Sequence, residues 1–385
     1  MGCDLATLNI GIDYTAALKQ SGGIGRYTRG LVTSLAELDA ANRYTLLAAS
    51  DAPAAGWRDF DTHPNFSAKQ LPLPERWLTI GWHRFYLPIP VEWFSGPLDL
   101  FHSPNFILPP VRRAKTLLTV HDLSFMRHPQ GAVASLRNWL EKVVPRSLAR
   151  ADHVLADSLS TRQDLMDIFN VPAEQITVVG AGVEARFQRV TDPQTLQAVR
   201  QRNNLPAEPF ILSLGTLEPR KNFTGLIEAF NQSPVRETHH LVIAGGKGWL
   251  YEPIFAAAQA SPVANRIHLT GFVADADLPA LYSLADVFAY PSHYEGFGIP
   301  VIEAMACGTP VVCADNSSLP EVAGDAALQI TATDTPALAH ALHRLTADQP
   351  LRQQLIEAGF RQAAQFTWPA AAQRLLAVYH QLSKP

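Results

Sequence analysis

The sequence predicts two doubly wound α/β domains in tandem, and three observations predict it. The chain has 385 residues, more than one ordinary α/β domain uses. Short apolar runs alternate with helix-period segments through both halves, the βαβ pattern that builds parallel sheets. A polar stretch poor in strand formers, GVEARFQRVTDPQTLQAVRQRNNLPAEP, separates the halves and closes on Pro206 and Pro209.

In the first half the strand signals are LNIGID, YTLLAA, LDLFHS, TLLTVHD, HVLADS and QITVVGAG, with helices expected from about Gly25 to Leu38 and near Leu136 to Arg150. The second half repeats the pattern with FILSLGT, HLVIAGG, IHLTGF, DVFAYPS and TPVVCAD. Its helices run through Leu226 to Asn231, near Leu278 to Leu284, and after Pro300. The domains are therefore 1–185 and 186–365. From Pro369 to Leu382 an amphipathic helix carries Leu375, Leu376, Val378, Tyr379 and Leu382 near one face, so 366–385 is expected to pack back on the first domain. A Pro-interrupted span holds Trp77, Trp82, Phe85, Tyr86, Trp93 and Phe94 and reads as a substrate-side loop.

Composition narrows the function. A hydrophobic fraction of 47% with 17% charged residues is that of a packed globular protein. The net charge of -4 argues against a general nucleic-acid binder, which needs excess Lys and Arg to displace phosphate counterions. Cys3, Cys307 and Cys313 form no disulfide framework and indicate a reducing compartment. The start MGCDLATLNIGID lacks the basic and long apolar regions of a signal peptide, and Ala6 replaces the Ser or Thr of a myristoylation site. No apolar run approaches the roughly 18 residues of a spanning helix, so a cytoplasmic protein is expected. The first half is nearly neutral and the acidic excess lies in the second, which leaves the first better suited to an anionic lipid surface.

The chemistry concentrates in His293-Tyr294-Glu295-Gly296-Phe297-Gly298-Ile299-Pro300-Val301-Ile302-Glu303, which follows a strand and opens a helix. The glycines permit close backbone approach, Pro300 suits a first helical turn, and the helix N-terminus favours a diphosphate. Glu303 can accept hydrogen bonds from the vicinal hydroxyls of a ribose, and Glu295 can reach a sugar. Arg220 and Lys221, in GTLEPRKN after another strand, can grip a pyrophosphate and stabilise the charge that grows on it. A third loop, Gly245-Gly246-Lys247-Gly248, closes on the same carboxyl edge. In the first half, Ser21-Gly22-Gly23-Ile24-Gly25-Arg26-Tyr27 presents backbone N–H groups between its strand and helix, and His121-Asp122 ends the strand TLLTV.

Competing patterns fail on context. Gly180-Ala181-Gly182 imitates a dinucleotide fingerprint, but Arg186-Phe187-Gln188-Arg189 starts no amphipathic helix and no acid follows about twenty residues on. Asp275 and Asp277 resemble a metal pair, yet both precede the helix beginning near Leu278, where Asp is an expected cap. A glycosidase pair of glutamates has no use for three phosphate-type loops.

Together SGGIGRY, HSPNFILP, VHDLSFMRHP, GTLEPRKN, IAGGKGW and EGFGIPVIEAMACGTPVV resemble the retaining GT-B glycosyltransferases of family four over nearly the whole chain. The resemblance implies the GT-B fold: two Rossmann-like domains facing each other across a cleft, acceptor side first and nucleotide-sugar donor side second, with no metal and no cofactor beyond the donor itself. It assigns Arg220 and Lys221 to the donor pyrophosphate, Glu303 to the ribose, and Glu295 with Gly296, Phe297, Gly298 and Ile299 to the donor sugar and phosphates. His121 matches the family's active-site histidine, Gly23 its N-terminal phosphate loop, and Val273 and Leu278 the place of the base. Within the family these variants look like mannosyltransferases that use GDP-mannose on a glycan or polyprenol-linked acceptor. Such an acceptor implies peripheral contact with the inner membrane face, through the aromatic span and Arg137, Lys142, Arg146 and Arg150. A UDP-sugar-dependent transferase, a sugar-nucleotide epimerase and an inactive nucleotide-sugar-binding subunit are the alternatives.

Overall fold

The computed structural model describes residues 7–53, 56–57, 60 and 62–384, so Cys3 and Ala6 lie outside the described residues. As predicted, it contains two parallel sheets. The chain divides into one unit of residues up to Leu123, Asn138–Gly182 and Thr367 onward, and a second of Ser124–Arg137 and Val183–Phe366. Ser124–Arg137, inside the first-domain bounds read from the sequence, thus groups with the second unit. Two contacts show why: the Trp249 indole donates to the Gly131 carbonyl at 2.6 Å, and the His128 ring stacks on His293 at 5.1 Å.

The first unit holds β1 (Asn9–Asp13), β2 (Arg43–Ala48), β3 (Phe66–Gln70), β4 (Leu100–Ser103), β5 (Lys115–Val120), β6 (His153–Ala156) and β7 (Ile176–Val178), in the order β3-β2-β1-β4-β5-β6-β7. β4 and β6 are buried at every position, as parallel strands covered on both faces must be. The pattern reading missed β3 because it is an edge strand whose FSAKQ buries only Phe66. It also placed the first glycine-rich loop between strand and helix. Instead a short helix α1 (Thr15–Lys19) intervenes, and α2 (Gly23–Leu38) begins at Gly23 itself.

The last helix, α16 (Trp368–Leu382), packs on α2 and is clipped to the sheet. The Tyr379 hydroxyl lies 2.9 Å from Nδ1 of His102 in β4, whose Nε2 lies 2.9 Å from Thr119 Oγ1 in β5. Burial, helped by the charge of His121, pushes His102 down to about 3, so the network is neutral at physiological pH.

The second unit holds β8 (Phe210–Leu214), β9 (His240–Ala244), β10 (Ile267–Gly271), β11 (Val287–Tyr290), β12 (Val311–Ala314) and β13 (Ala327–Ile330), in the order β10-β9-β8-β11-β12-β13. β13 escaped sequence reading because only Ile330 of it is buried. In this sheet the strand order reverses between β8 and β11, and open α/β sheets hold ligands at such a reversal, outside the carboxyl ends. Burial raises the Cys307 and Cys313 thiols, the latter to about 12, which keeps them inert. Among the described residues no helix is long and apolar enough to cross a membrane.

Gly30 of α2 faces the Trp368 ring so closely that an added Cβ would stand 2.3 Å from it. Gly30→Ala is expected to destabilise the first unit by about 2 kcal/mol through overpacking. A lowered midpoint for that unit in thermal unfolding checks this.

Candidate functional site

The loop after β8 and the loop after β11 leave the reversal side by side. In the first, a 3-10 turn (Pro219–Lys221) leads through Asn222, in the left-handed region at φ 56°, into α9 (Phe223–Gln232). In the second, Gly298 at φ 106° caps α12 (Ile299–Ala306), a conformation few residues other than glycine adopt. The two loops are tied directly: His293 N–H donates to the Arg220 carbonyl at 2.8 Å, and Asn222 Nδ2 donates to the Pro291 carbonyl at 3.1 Å. The glycine loop after β9 joins them, since Leu217 N–H donates to Gly246 and Gly248 N–H donates back to Leu217. A Cβ on Gly245 would fall 1.8 Å from the Gly215 carbonyl oxygen, so this approach requires glycine.

Sequence reading assigned Glu295 to the sugar of a donor and Arg220 with Lys221 to its pyrophosphate, and the structure joins all three. Glu295 Oε2 accepts from Arg220 at 2.9 Å and Oε1 accepts from Lys221 Nζ at 2.7 Å. Arg220 also donates to Glu218 at 2.6 Å and to the Tyr294 carbonyl at 2.8 Å, while Lys221 donates to the Tyr290 hydroxyl at 2.7 Å. Glu218 and Tyr290 were missed, because one stands two residues before Arg220 as an ordinary loop acid and the other ends an apolar strand. Burial would raise the Glu295 carboxyl, but the Arg220 and Lys221 charges outweigh it and hold it at about 2. Burial draws Lys221 below the ordinary lysine range. The Ser317 hydroxyl accepts from Glu295 N–H at 2.9 Å, and the Ser318 hydroxyl lies within 3.0 Å of the Glu295 and Phe297 carbonyls, so the loop is held from outside as well.

Glu303 lies one turn into α12, buried, with Oε2 accepting from the Tyr282 hydroxyl at 3.0 Å. Phe297 sits edge-on to Phe366 at 5.6 Å. Val273 follows β10, and Leu278 opens α11 (Leu278–Leu284); both side chains are buried. The expected capping role of Asp277 is corrected: it makes no side-chain cap bond, because Arg202 at 2.6 Å and Asn203 at 2.9 Å claim its carboxylate. Among the described residues no group of three or more His, Cys, Asp or Glu is arranged to hold a metal.

Gly23 and His121 belong to the first unit. His121, at the carboxyl end of β5, is buried with Nε2 2.8 Å from the Pro104 carbonyl and Nδ1 2.8 Å from Asp157 Oδ2. A carbonyl only accepts, so Nε2 carries hydrogen. Burial would lower this imidazole, yet the Asp157 charge and hydrogen bond outweigh it and raise His121 above its ordinary value. Tyr27 and Phe106 enclose the ring edge-on, at 5.0 and 5.6 Å. Asp157 was invisible in sequence because it stands 36 residues from its partner and meets it only through the pairing of β5 with β6.

Comparison with known proteins agrees with this layout. The family described as Glycosyltransferase Family 4 matches residues 21–187, and Glycosyl transferases group 1 matches residues 197–362. The chain is 35% identical to O-antigen chain mannosyltransferase B of Escherichia coli over 283 residues, 73% of this chain and 74% of that one. It is 30% identical to the serotype-specific mannosyltransferase WbdA of the same organism over 58% of its length, but spans only 28% of that protein. Among solved structures, sucrose-phosphate synthase from Thermosynechococcus elongatus superposes with a TM-score of 0.75 at 22% identity, covering 97% of this chain and 99% of that one. WaaG, a glycosyltransferase involved in lipopolysaccharide biosynthesis, gives 0.70 at 17% identity, covering 96% and 99%.

Glu295→Gln leaves Arg220 and Lys221 short of their shared carboxylate and is expected to cost about 3 kcal/mol of stability in the second unit at neutral pH. The depressed carboxyl contributes stability that is complete above the ordinary glutamate value of 4.5 and fades as pH falls toward about 2. Urea unfolding at pH 6 and pH 3 should therefore show the gap between the two proteins narrowing in acid.

Proposed function

The chain belongs to the family 4, group 1 glycosyltransferases, and we propose that it is a retaining hexosyltransferase that moves mannose from GDP-mannose to a glycan or lipid-linked oligosaccharide in cell-envelope polysaccharide synthesis. The observation that carries the reading is the buried Arg220–Lys221–Glu295 cluster at the β8/β11 reversal, beside the N-terminus of α12. The donor pyrophosphate lies against the two cations and that helix end, where its charge is favoured. Glu303 accepts from the ribose hydroxyls. The buried side chains of Val273 and Leu278 leave the main chain beside them to meet the base. Glu295 holds both cations in place before the donor arrives and then shares its carboxylate with the sugar.

As the glycosidic bond breaks, negative charge grows on the leaving diphosphate. Arg220 and Lys221 stabilise it from fixed positions, so no reorganisation is needed at the moment of reaction. The leaving phosphate takes the acceptor hydroxyl's proton on the same face of the sugar, which retains configuration and needs no metal. His121 and Gly23, in the first unit, keep the parts the family resemblance gives them, the active-site histidine and the N-terminal phosphate loop. The mannose assignment is supported by the named activity of the 35% identical Escherichia coli relative. A lipid-linked acceptor puts the enzyme at the inner membrane face.

Thermal shift with GDP, UDP, ADP, dTDP and their sugar conjugates tests the donor. GDP and GDP-mannose are expected to stabilise the protein selectively and to lose that effect in Glu303→Ala. A preference for UDP would keep the family and change the sugar, and no response to any nucleotide would overturn the donor site. Arg220→Ala is expected to lower kcat about 100-fold or more, read from release of GDP with EDTA present throughout.

A further inference from the structure

Beside the donor cluster the second unit holds a cavity of about 620 Å³ that the proposed transfer leaves unused. Its lining residues all belong to that unit. Its floor is apolar: Phe223 opens α9, Ile254 lies in α10 (Glu252–Ala260), and both are buried. α9 and α10 pack on each other, whereas Glu303 and Leu278 stand on α12 and α11, a separate packed pair. The loop of Arg220 and Lys221 borders the cavity, since Glu218 and Pro219 line it.

Two segments far apart in sequence close the cavity. The 3-10 turn Pro129–Gly131 is fixed by the Trp249 indole, which donates to the Gly131 carbonyl at 2.6 Å, and a Cβ on Gly131 would stand 2.6 Å from the His128 ring. Leu250 follows Trp249 at φ 54° and is 46% exposed, so an unfavourable backbone conformation holds an apolar side chain at the cavity mouth. The His128 ring stacks on His293 with the planes 28° apart. Gln130 lies 3.0 Å from His128 Nδ1, while neither ring nitrogen of His293 has a hydrogen-bond partner among the described residues.

The chemistry of the lining selects a ligand class. Among the described residues it includes no lysine or arginine, and Glu218 and Asp315 are acids, so a phosphate or carboxylate is disfavoured. Burial lowers both histidines, and the His293 ring and the Arg220 charge lower His128 further, so at neutral pH each ring offers one N–H donor and one acceptor. Asp315 accepts from Thr331 at 2.9 Å through Oδ2, and Thr224 and Thr333 add exposed hydroxyls. An apolar floor under neutral donors and acceptors complements a sugar ring, which has an apolar face and an edge of hydroxyls.

We propose that this cavity is a subsite for a neutral oligosaccharide and holds sugar residues of the acceptor glycan away from the hydroxyl that reacts. That the glycan is an acceptor rests on the proposed function; that the cavity takes a glycan rests on its own lining. Pro219 is the neighbour of Arg220, and His293 stands two residues before Glu295. A chain seated here therefore lies beside the place of transfer and leaves both cations to the donor. The cavity has room for more than one ring, so affinity rises with chain length.

Titration of the full chain with mannose and with α-linked mannotriose, followed by saturation-transfer NMR of the sugar, tests it. Mannotriose is expected to bind about tenfold more tightly than mannose, as one added ring with its hydrogen bonds allows. Thr224→Trp fills the cavity from the exposed first turn of α9 and should abolish binding. Asp315→Ala should weaken it about tenfold, the effect of one charge-assisted hydrogen bond. Ala347→Trp, exposed at the far end of the helix Thr335–Ala347, should leave it unchanged. No binding of mannotriose by the unaltered chain, or full binding by both cavity variants, would overturn the proposal. So would displacement of mannotriose by GDP, since the sugar would then occupy the donor site. Nucleotide stabilisation of the same proteins reports the donor reading separately. A chain that binds mannotriose but no nucleotide keeps the glycan site and loses the donor reading, and the reverse keeps the donor site and loses this one.

Discussion

Arg220 and Lys221 are held by one buried carboxylate, and the loops at the carboxyl edge of the second unit's sheet bring those three residues together. β8 and β11 are neighbours in the sheet but far apart in sequence. Their following helices pack on different partners, α9 on the helix Thr335–Ala347 and α12 on the helix Gln349–Ala363, so the two loops are joined by their own hydrogen bonds and ion pairs. The Glu295 side chain supplies two of these. Its two oxygens take one cation each, and the backbone link between His293 and Arg220 keeps the loops in register.

The electrostatics follow from burial. A cation taken out of water without a partner costs several kcal/mol, and here Glu218, Glu295 and the Tyr290 hydroxyl supply partners before any ligand arrives. Both cations are therefore already oriented and already stripped of much of their water, which is what the proposed transfer from a diphosphate requires. Fixed donors of this kind favour the charged leaving group of the transition state. The same logic governs His121 in the first unit, where Asp157 and the Pro104 carbonyl set both the ring's orientation and its protonation.

The first unit spends its polar side chains on holding its own parts. The His102–Tyr379–Thr119 network anchors α16 to the sheet, while Trp368 packs on Gly30 and sits edge-on to Tyr27 at 5.8 Å.

By itself the sequence determined the parallel two-sheet architecture, because buried parallel strands must be apolar runs and the helices between them must carry one apolar face. It also marked the Gly298–Pro300 entry to α12 and the Arg220–Lys221 turn, whose residue types are dictated by local backbone and charge. Strands whose burial is slight, β3 and β13, left no such pattern. Only the tertiary structure decided the partnerships: Glu295 with Arg220 and Lys221, Glu303 with Tyr282, His121 with Asp157, and Asp277 with Arg202 in place of a cap. Most of these pairs are dozens of residues apart, and which charge meets which is set by strand order and loop approach, properties of the packed sheet that no local run of residues contains.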